Sequence, residues 1–153
     1  MECRPAWVLT ALILGTMGLP SAASAAACLL TPEELKVATG REFGAGQESK
    51  SVDGSDMCSY PEVATPTRKL MLNVINERGK AAYESRLRLL TFGKKDIRLN
   101  GVGDAAYLSG TAAGVLKGDR LITLTNVRRP GTPELEPERI VTLLQRALDR
   151  AGK

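Results

Sequence analysis

The chain has 153 residues, with 21 Lys and Arg against 17 Asp and Glu for a net charge of +4, and it contains no histidine. The missing imidazole excludes Ser–His and Cys–His nucleophile activation, histidine acid–base chemistry and nearly all catalytic zinc sites. The small positive excess bears on solubility and encounter with anionic surfaces, and it names no partner.

Met1–Arg4 carries one Arg and one Glu, and Ala6–Leu19 is an almost unbroken apolar run. Pro20 and the small residues Ser21–Ala27 follow, and Ala23-Ser24-Ala25 fits the small-x-small cleavage pattern of an export signal. The run is too short and wrongly flanked for a permanent spanning helix. Residues 1–25 therefore read as a signal peptide, and 26–153 as one mature domain, periplasmic or secreted. The mature segment is long enough to bury a core of its own.

Loss of the leader discards Cys3 and leaves Cys28 and Cys58, an even pair in an oxidising compartment, which favours one disulfide. A lipid anchor on Cys28 is the rival reading, since that residue directly follows a run of small residues. Lipoprotein signals want Leu three positions earlier, where Ala25 stands, and acylation would strand Cys58 as a free thiol.

Leu30-Thr-Pro-Glu-Glu-Leu35 predicts a helix start. Thr31 is the N-cap, Pro32 takes the first position, Glu34 closes a capping box, and Leu30 with Leu35 forms a staple. Gly40 supplies the stop, giving a helix over 32–39. Residues 41–56 are weakly patterned and read as a loop or irregular edge strand. Met57–Tyr60 predicts a short strand ended by Pro61. Lys69–Asn76 is a stronger one, with Leu70, Leu72 and Val74 on one face and Met71, Asn73 and Ile75 on the other. Gly79 breaks it, and Lys80–Leu90 predicts a helix with a Tyr83, Leu87, Leu90 stripe and a Glu84–Arg88 pair on its wet side.

A brief strand is expected at 97–99 and another at 105–108, after the Gly101-Val-Gly-Asp104 turn. Gly118-Asp119 suits a type II′ hairpin turn. That register sets Val115 opposite Ile122 and Leu116 opposite Leu121. The last helix starts near Pro137, stapled by Leu135 and Ile140. Its buried stripe is Ile140, Leu144, Ala147, Leu148 and Ala151, with Glu134, Glu136 and Glu138 at the positive end and Arg146, Arg150 and Lys153 at the negative end. Hairpin-linked strands with few helices predict an α+β domain, an antiparallel sheet packed with about three helices.

Gly101-Val-Gly-Asp-Ala-Ala106 matches the letters of a dinucleotide fingerprint, but a strand and not a helix follows it, so it reads as a turn. Gly44–Lys50 is only loosely like a phosphate loop, lacking a Gly directly before Lys50 and a preceding strand. Asp96, Asp104 and Asp119 are the carboxylates available for pairing, yet each sits where Asp serves a turn. Ser59 or Ser109 with a lysine base has no spacing in its favour. Arg86, Arg88, Lys94, Lys95 and Arg98 form one basic group and Arg128-Arg129 a second. With only Tyr83 and Phe92 nearby, they lack the interleaved aromatics of a nucleic-acid surface. Any recognition surface is sought first in the loop 44–56 and at these arginines.

With Cys28 before a Thr-Pro-Glu-Glu helix, Cys58-Ser-Tyr60 opening a strand and Gly-Val-Gly-Asp-Ala-Ala-Tyr107 before a hairpin, the layout resembles small exported bacterial domains, the DUF3558-like lipoproteins. It also resembles the extracytoplasmic sensor domains of some bacterial Ser/Thr kinases. The resemblance implies an antiparallel sheet flanked by helices, of the PsbP/Mog1-type sandwich, and brings no catalytic residue with it. The expectation is a non-catalytic binding or sensor-like domain of the cell envelope, with no cofactor, no metal and no nucleic acid. Its partner is a small ligand or an envelope protein. The alternatives are an accessory subunit docking on an envelope assembly and, less favoured, a carboxylate- or Ser/Lys-dependent hydrolase.

Overall fold

The structure is a computed structural model that describes residues 27–92 and 97–152. The leader at 1–25, Lys94, Lys95, Asp96 and Lys153 lie outside the described residues. In chain order the elements are α1 (Pro32–Thr39), β1 (Gln47–Lys50), β2 (Asp56–Pro61), β3 (Lys69–Ile75), α2 (Gly79–Thr91), β4 (Arg98–Leu99), β5 (Ala105–Ser109), β6 (Ala112–Lys117), β7 (Arg120–Thr125) and α3 (Pro137–Ala151). The strands make one antiparallel sheet in the order β1-β2-β3-β7-β6-β5-β4. This is the α+β class that the sequence predicts.

Alternation along the strands gives the sheet two unlike faces. On one, Cys58, Tyr60, Leu70, Leu72, Val115, Ile122 and Leu124 are fully buried beneath α1 and α3. Each fully buried leucine here contributes about 1.5–3 kcal/mol relative to exposure. The α3 stripe is Ile140, Leu143, Leu144 and Ala147, with Leu148 and Ala151 only partly covered. Leu143 widens the expected stripe, because a helix on a sheet buries a broader arc than a single row. On the other face α2 covers only one part, where Tyr83 packs with Tyr107, Leu116 and Leu121. Glu84 and Arg88 are both exposed and form no ion pair among the described residues.

The hairpin register is the expected one, with Val115 opposite Ile122 and Leu116 opposite Leu121. Gly118 holds a φ of 59° while Asp119 stays at negative φ, as a type II′ turn requires. Asp119 also has a task beyond the turn. Its carboxylate accepts from the amides of Arg78 (2.8 Å) and Lys80 (3.1 Å), capping α2 from a distant hairpin. Those two amides, Lys80 first, hold the carboxyl below its ordinary range. Gly79 is the first residue of α2 and not a simple break, and a Cβ there would lie 2.3 Å from the Asp119 carbonyl oxygen.

Two links fasten the N-terminal segment to β2. Cys28 and Cys58 are disulfide-bonded, and the buried Tyr60 hydroxyl donates to Leu30 O (2.9 Å) and accepts from Leu30 N (3.2 Å). Gly46 passes so close that a Cβ would fall within 2.6–2.8 Å of both sulfurs and the Tyr60 ring. Thr31 and Glu34 complete the capping box, worth about 1 kcal/mol. Glu34 also receives Arg150 (2.7 Å) and Arg146 (3.2 Å) from α3, so one carboxylate caps α1 and ties the two helices together.

The Arg150 hydrogen bond holds the Glu34 carboxyl below its ordinary 4.5. A depressed carboxyl adds stability that is complete above that value and lost as pH falls through the folded pKa. Because both arginines are about half exposed, the effect stays near ~1 kcal/mol. Glu34→Gln should therefore be less stable at pH 7 and converge on the parent chain under acid. Urea unfolding across that pH range measures this, and a constant gap would contradict it.

Candidate functional site

Helix α3 packs on β6 and β7, and its first residue, Pro137, comes to the β4–β5 end. The chain between β7 and α3 closes that end only in part. What remains is a groove of about 780 Å³ along the β4 edge. Its apolar lining is Ile97, Leu99 and Leu108 on the sheet side, with Leu135 and Pro137 opposite. Arg98, Ser109, Arg128, Glu134 and Glu136 supply its polar groups.

The polar groups differ in how far they are satisfied. Glu136 pairs with Arg139 at 2.6 Å. Arg128 donates from Nη2 to Thr132 O (3.3 Å), while its Nε is buried with no partner within the protein. A guanidinium N–H in that condition costs free energy until an acceptor reaches it. Glu134 enters no ion pair among the described residues. The groove therefore offers an apolar floor, one under-bonded cation and one free carboxylate. Ser109 is in the lining, with no lysine among the described lining residues.

A buried clasp sets the position of the wall. Glu62, 4% exposed, lies between Arg41 Nη1 and Arg129 Nη1, the latter at 3.4 Å. Arg41 also donates through Nη2 to Asn126 O (2.7 Å) and Val127 O (2.9 Å), and its guanidinium stacks 5.1 Å from the Phe43 ring centre. The exit of β7 is thereby fixed just before Arg128. The expected Arg128-Arg129 group is split: Arg129 serves the clasp and Arg128 the groove.

A second depression, about 480 Å³, lies between the β6–β7 hairpin and the end of α3. Its charges are already engaged. Arg120 bonds Asn76 Oδ1 (2.8 Å) and Ala151 O, Lys117 pairs with Asp104 (2.9 Å), and Asp119 caps α2. Asp104 also accepts from the Gly118 amide, which holds its carboxyl low. Asp104 and Asp119 are thus each committed to separate partners. Ser59 is buried on β2, and the loop 44–56 supplies β1 and the contact at Gly46 but no part of the groove. Of the described members of the first basic group, Arg98 lines the groove, while Arg86 and Arg88 sit on α2. Among the described residues no three His, Cys, Asp or Glu side chains converge.

Comparison with family models, with curated proteins and with solved structures finds no match to this chain. The site therefore rests on its own geometry.

Removing Glu62 would leave two guanidinium groups against one another with no counter-charge. Glu62→Ala should cost about 3–5 kcal/mol, as for a broken buried pair, read from urea midpoints at pH 7. A loss below about 1 kcal/mol would mark the clasp as an ordinary surface pair.

Proposed function

We propose that this chain is an exported, non-catalytic binding module of the bacterial cell envelope that takes a small amphipathic anion in the groove along β4. The observation that carries the reading is Arg128, whose buried Nε lacks an acceptor at the wall of a groove with an apolar floor. A ligand with an apolar body and one anionic end would bury Leu99, Leu108 and Leu135 while satisfying that donor. The apolar leader and the small-residue cleavage pattern support export, and the Cys28–Cys58 bond is compatible with an oxidising compartment. A Cys28 sulfur committed to Cys58 has no valence left for an acyl chain, which favours a freely diffusing module over a lipid anchor.

The probe is 8-anilino-1-naphthalenesulfonate, which joins aromatic rings to one sulfonate. Its fluorescence should rise saturably on the intact protein, and Arg128→Gln and Leu108→Ser should each weaken Kd by about tenfold or more, equal to ~1.4 kcal/mol. Circular dichroism on both variants verifies folding. A non-saturating rise, or one indifferent to both substitutions in folded protein, would refute the groove as the binding site.

A further inference from the structure

The face of the sheet under α2 holds a polar feature that neither the groove nor the fold explains. Direct cross-strand pairing sets Met57, Asn73, Thr123, Gly114 and Tyr107 in one row across β2, β3, β7, β6 and β5. Directly paired residues project to the same face. Three consecutive side chains of this row carry a buried oxygen short of partners: Asn73 Oδ1 and Thr123 Oγ1 meet none within the protein, and the Tyr107 hydroxyl meets only the Arg86 guanidinium. Thr123 is 1% exposed and Tyr107 is wholly buried. Under-bonded buried oxygens are rare, and three side by side are a property of the place and not of one residue.

The gap in side chains at Gly114 brings them together. A Cβ there would come within 2.5–2.9 Å of Tyr107 Cε1, Cζ and Oη, so the ring lies flat over Gly114. Tyr107 thereby reaches across β6 toward Thr123, and strands are about 4.8 Å apart, so all three oxygens fall within the span of one small molecule. A cation on α2 faces this place, and Arg98 on β4 continues the row beside Tyr107. Arg86 is half-buried, and its guanidinium faces the Tyr107 hydroxyl, opposing the rise that burial imposes on that phenol. Arg86 belongs to none of the ion pairs of the described residues. Asn73, Met57, Met71 and Thr125 are only partly covered, so the row opens to solvent along the margin of α2.

From this juxtaposition we infer a second binding site, for a small hydroxycarboxylate, at the α2 margin of the sheet. The carboxylate lies against Arg86 and accepts from the Tyr107 hydroxyl, an arrangement suited to the planar guanidinium. The ligand hydroxyl donates to Asn73 Oδ1, and Thr123 Oγ1 serves either end, since a hydroxyl both donates and accepts. The site shares no residue with the groove, so either can fail alone.

Lactate is the probe, with acetate lacking the hydroxyl and chloride as the charge control, followed by amide NMR of the intact protein. Lactate should shift the amides around Asn73, Tyr107 and Thr123 saturably with a Kd of about 1 mM, and acetate should bind at least about fivefold more weakly. Arg86→Gln and Thr123→Val should each weaken lactate about tenfold or more. Thr123→Val removes a hydroxyl that bonds nothing in the protein, so its thermal midpoint should be unchanged or raised, which separates ligand contact from a structural role. The inference is overturned if lactate behaves like chloride, if Arg86→Gln leaves its Kd unchanged, or if acetate matches it. Crystals grown with lactate that place only water on the three oxygens would overturn it equally.

Discussion

The Cys28–Cys58 bond is the constraint on which the arrangement depends. It anchors a segment that has no strand pairing of its own to the second strand from the sheet edge. Two residues further on, Tyr60 repeats the connection by bonding both backbone groups of Leu30. Burial raises the Tyr60 phenol above its usual pKa, so it remains a neutral donor at any ordinary pH. With Leu30 fixed, Thr31 caps α1, and Glu34 is presented to Arg146 and Arg150 on α3. The position of α3 in turn decides how much of the sheet is covered and where the groove begins. A covalent link near one edge thus reaches the proposed binding groove at the other through two helices and one carboxylate.

The two faces of the sheet divide the labour. The face under α1 and α3 is apolar at its centre and holds most of the core. The face under α2 mixes a small apolar cluster with Ser59, Asn73, Thr123 and Thr125. Sheets of this kind stay stable with one solvated face, so polar residues there are tolerated, but fully buried ones without partners need a reason. Both proposed sites lie where covering elements end: the groove at the start of α3, and the polar row at the margin of α2. Incomplete coverage is what leaves an under-bonded donor or acceptor close to solvent, and that combination favours a ligand.

What the sequence discloses is local. The capping box at Thr31 and Glu34, the Gly118-Asp119 turn and the alternation of Leu70, Leu72 and Val74 each state their structure within a few residues. The signal of two cysteines was legible because export leaves few alternatives for an even pair. The clasp of Glu62 with Arg41 and Arg129 spans 21 and 67 residues, and the Glu34–Arg150 pair spans 116, so neither partner carries a mark of the other. Asp119 reads as a turn residue and is one, yet its capping of α2 depends on the hairpin folding back on Arg78 and Lys80. Arg98, Ser109 and Arg128 are visible singly as basic or hydroxylic residues. Their convergence exists only once β4 pairs with β5 and the chain after β7 crosses the sheet end. Asn73 and Thr123 look like ordinary strand residues until cross-strand pairing sets them beside Tyr107.

The most direct test is the unfolding free energy of the protein in urea, with the disulfide intact and after reduction. A bridge closing a loop with a sequence separation of 30 should make the oxidised form more stable by about 3–4 kcal/mol. Coincident unfolding curves would contradict the central role of the bond and leave Tyr60 and Glu34 as the true fastening of the N-terminal segment.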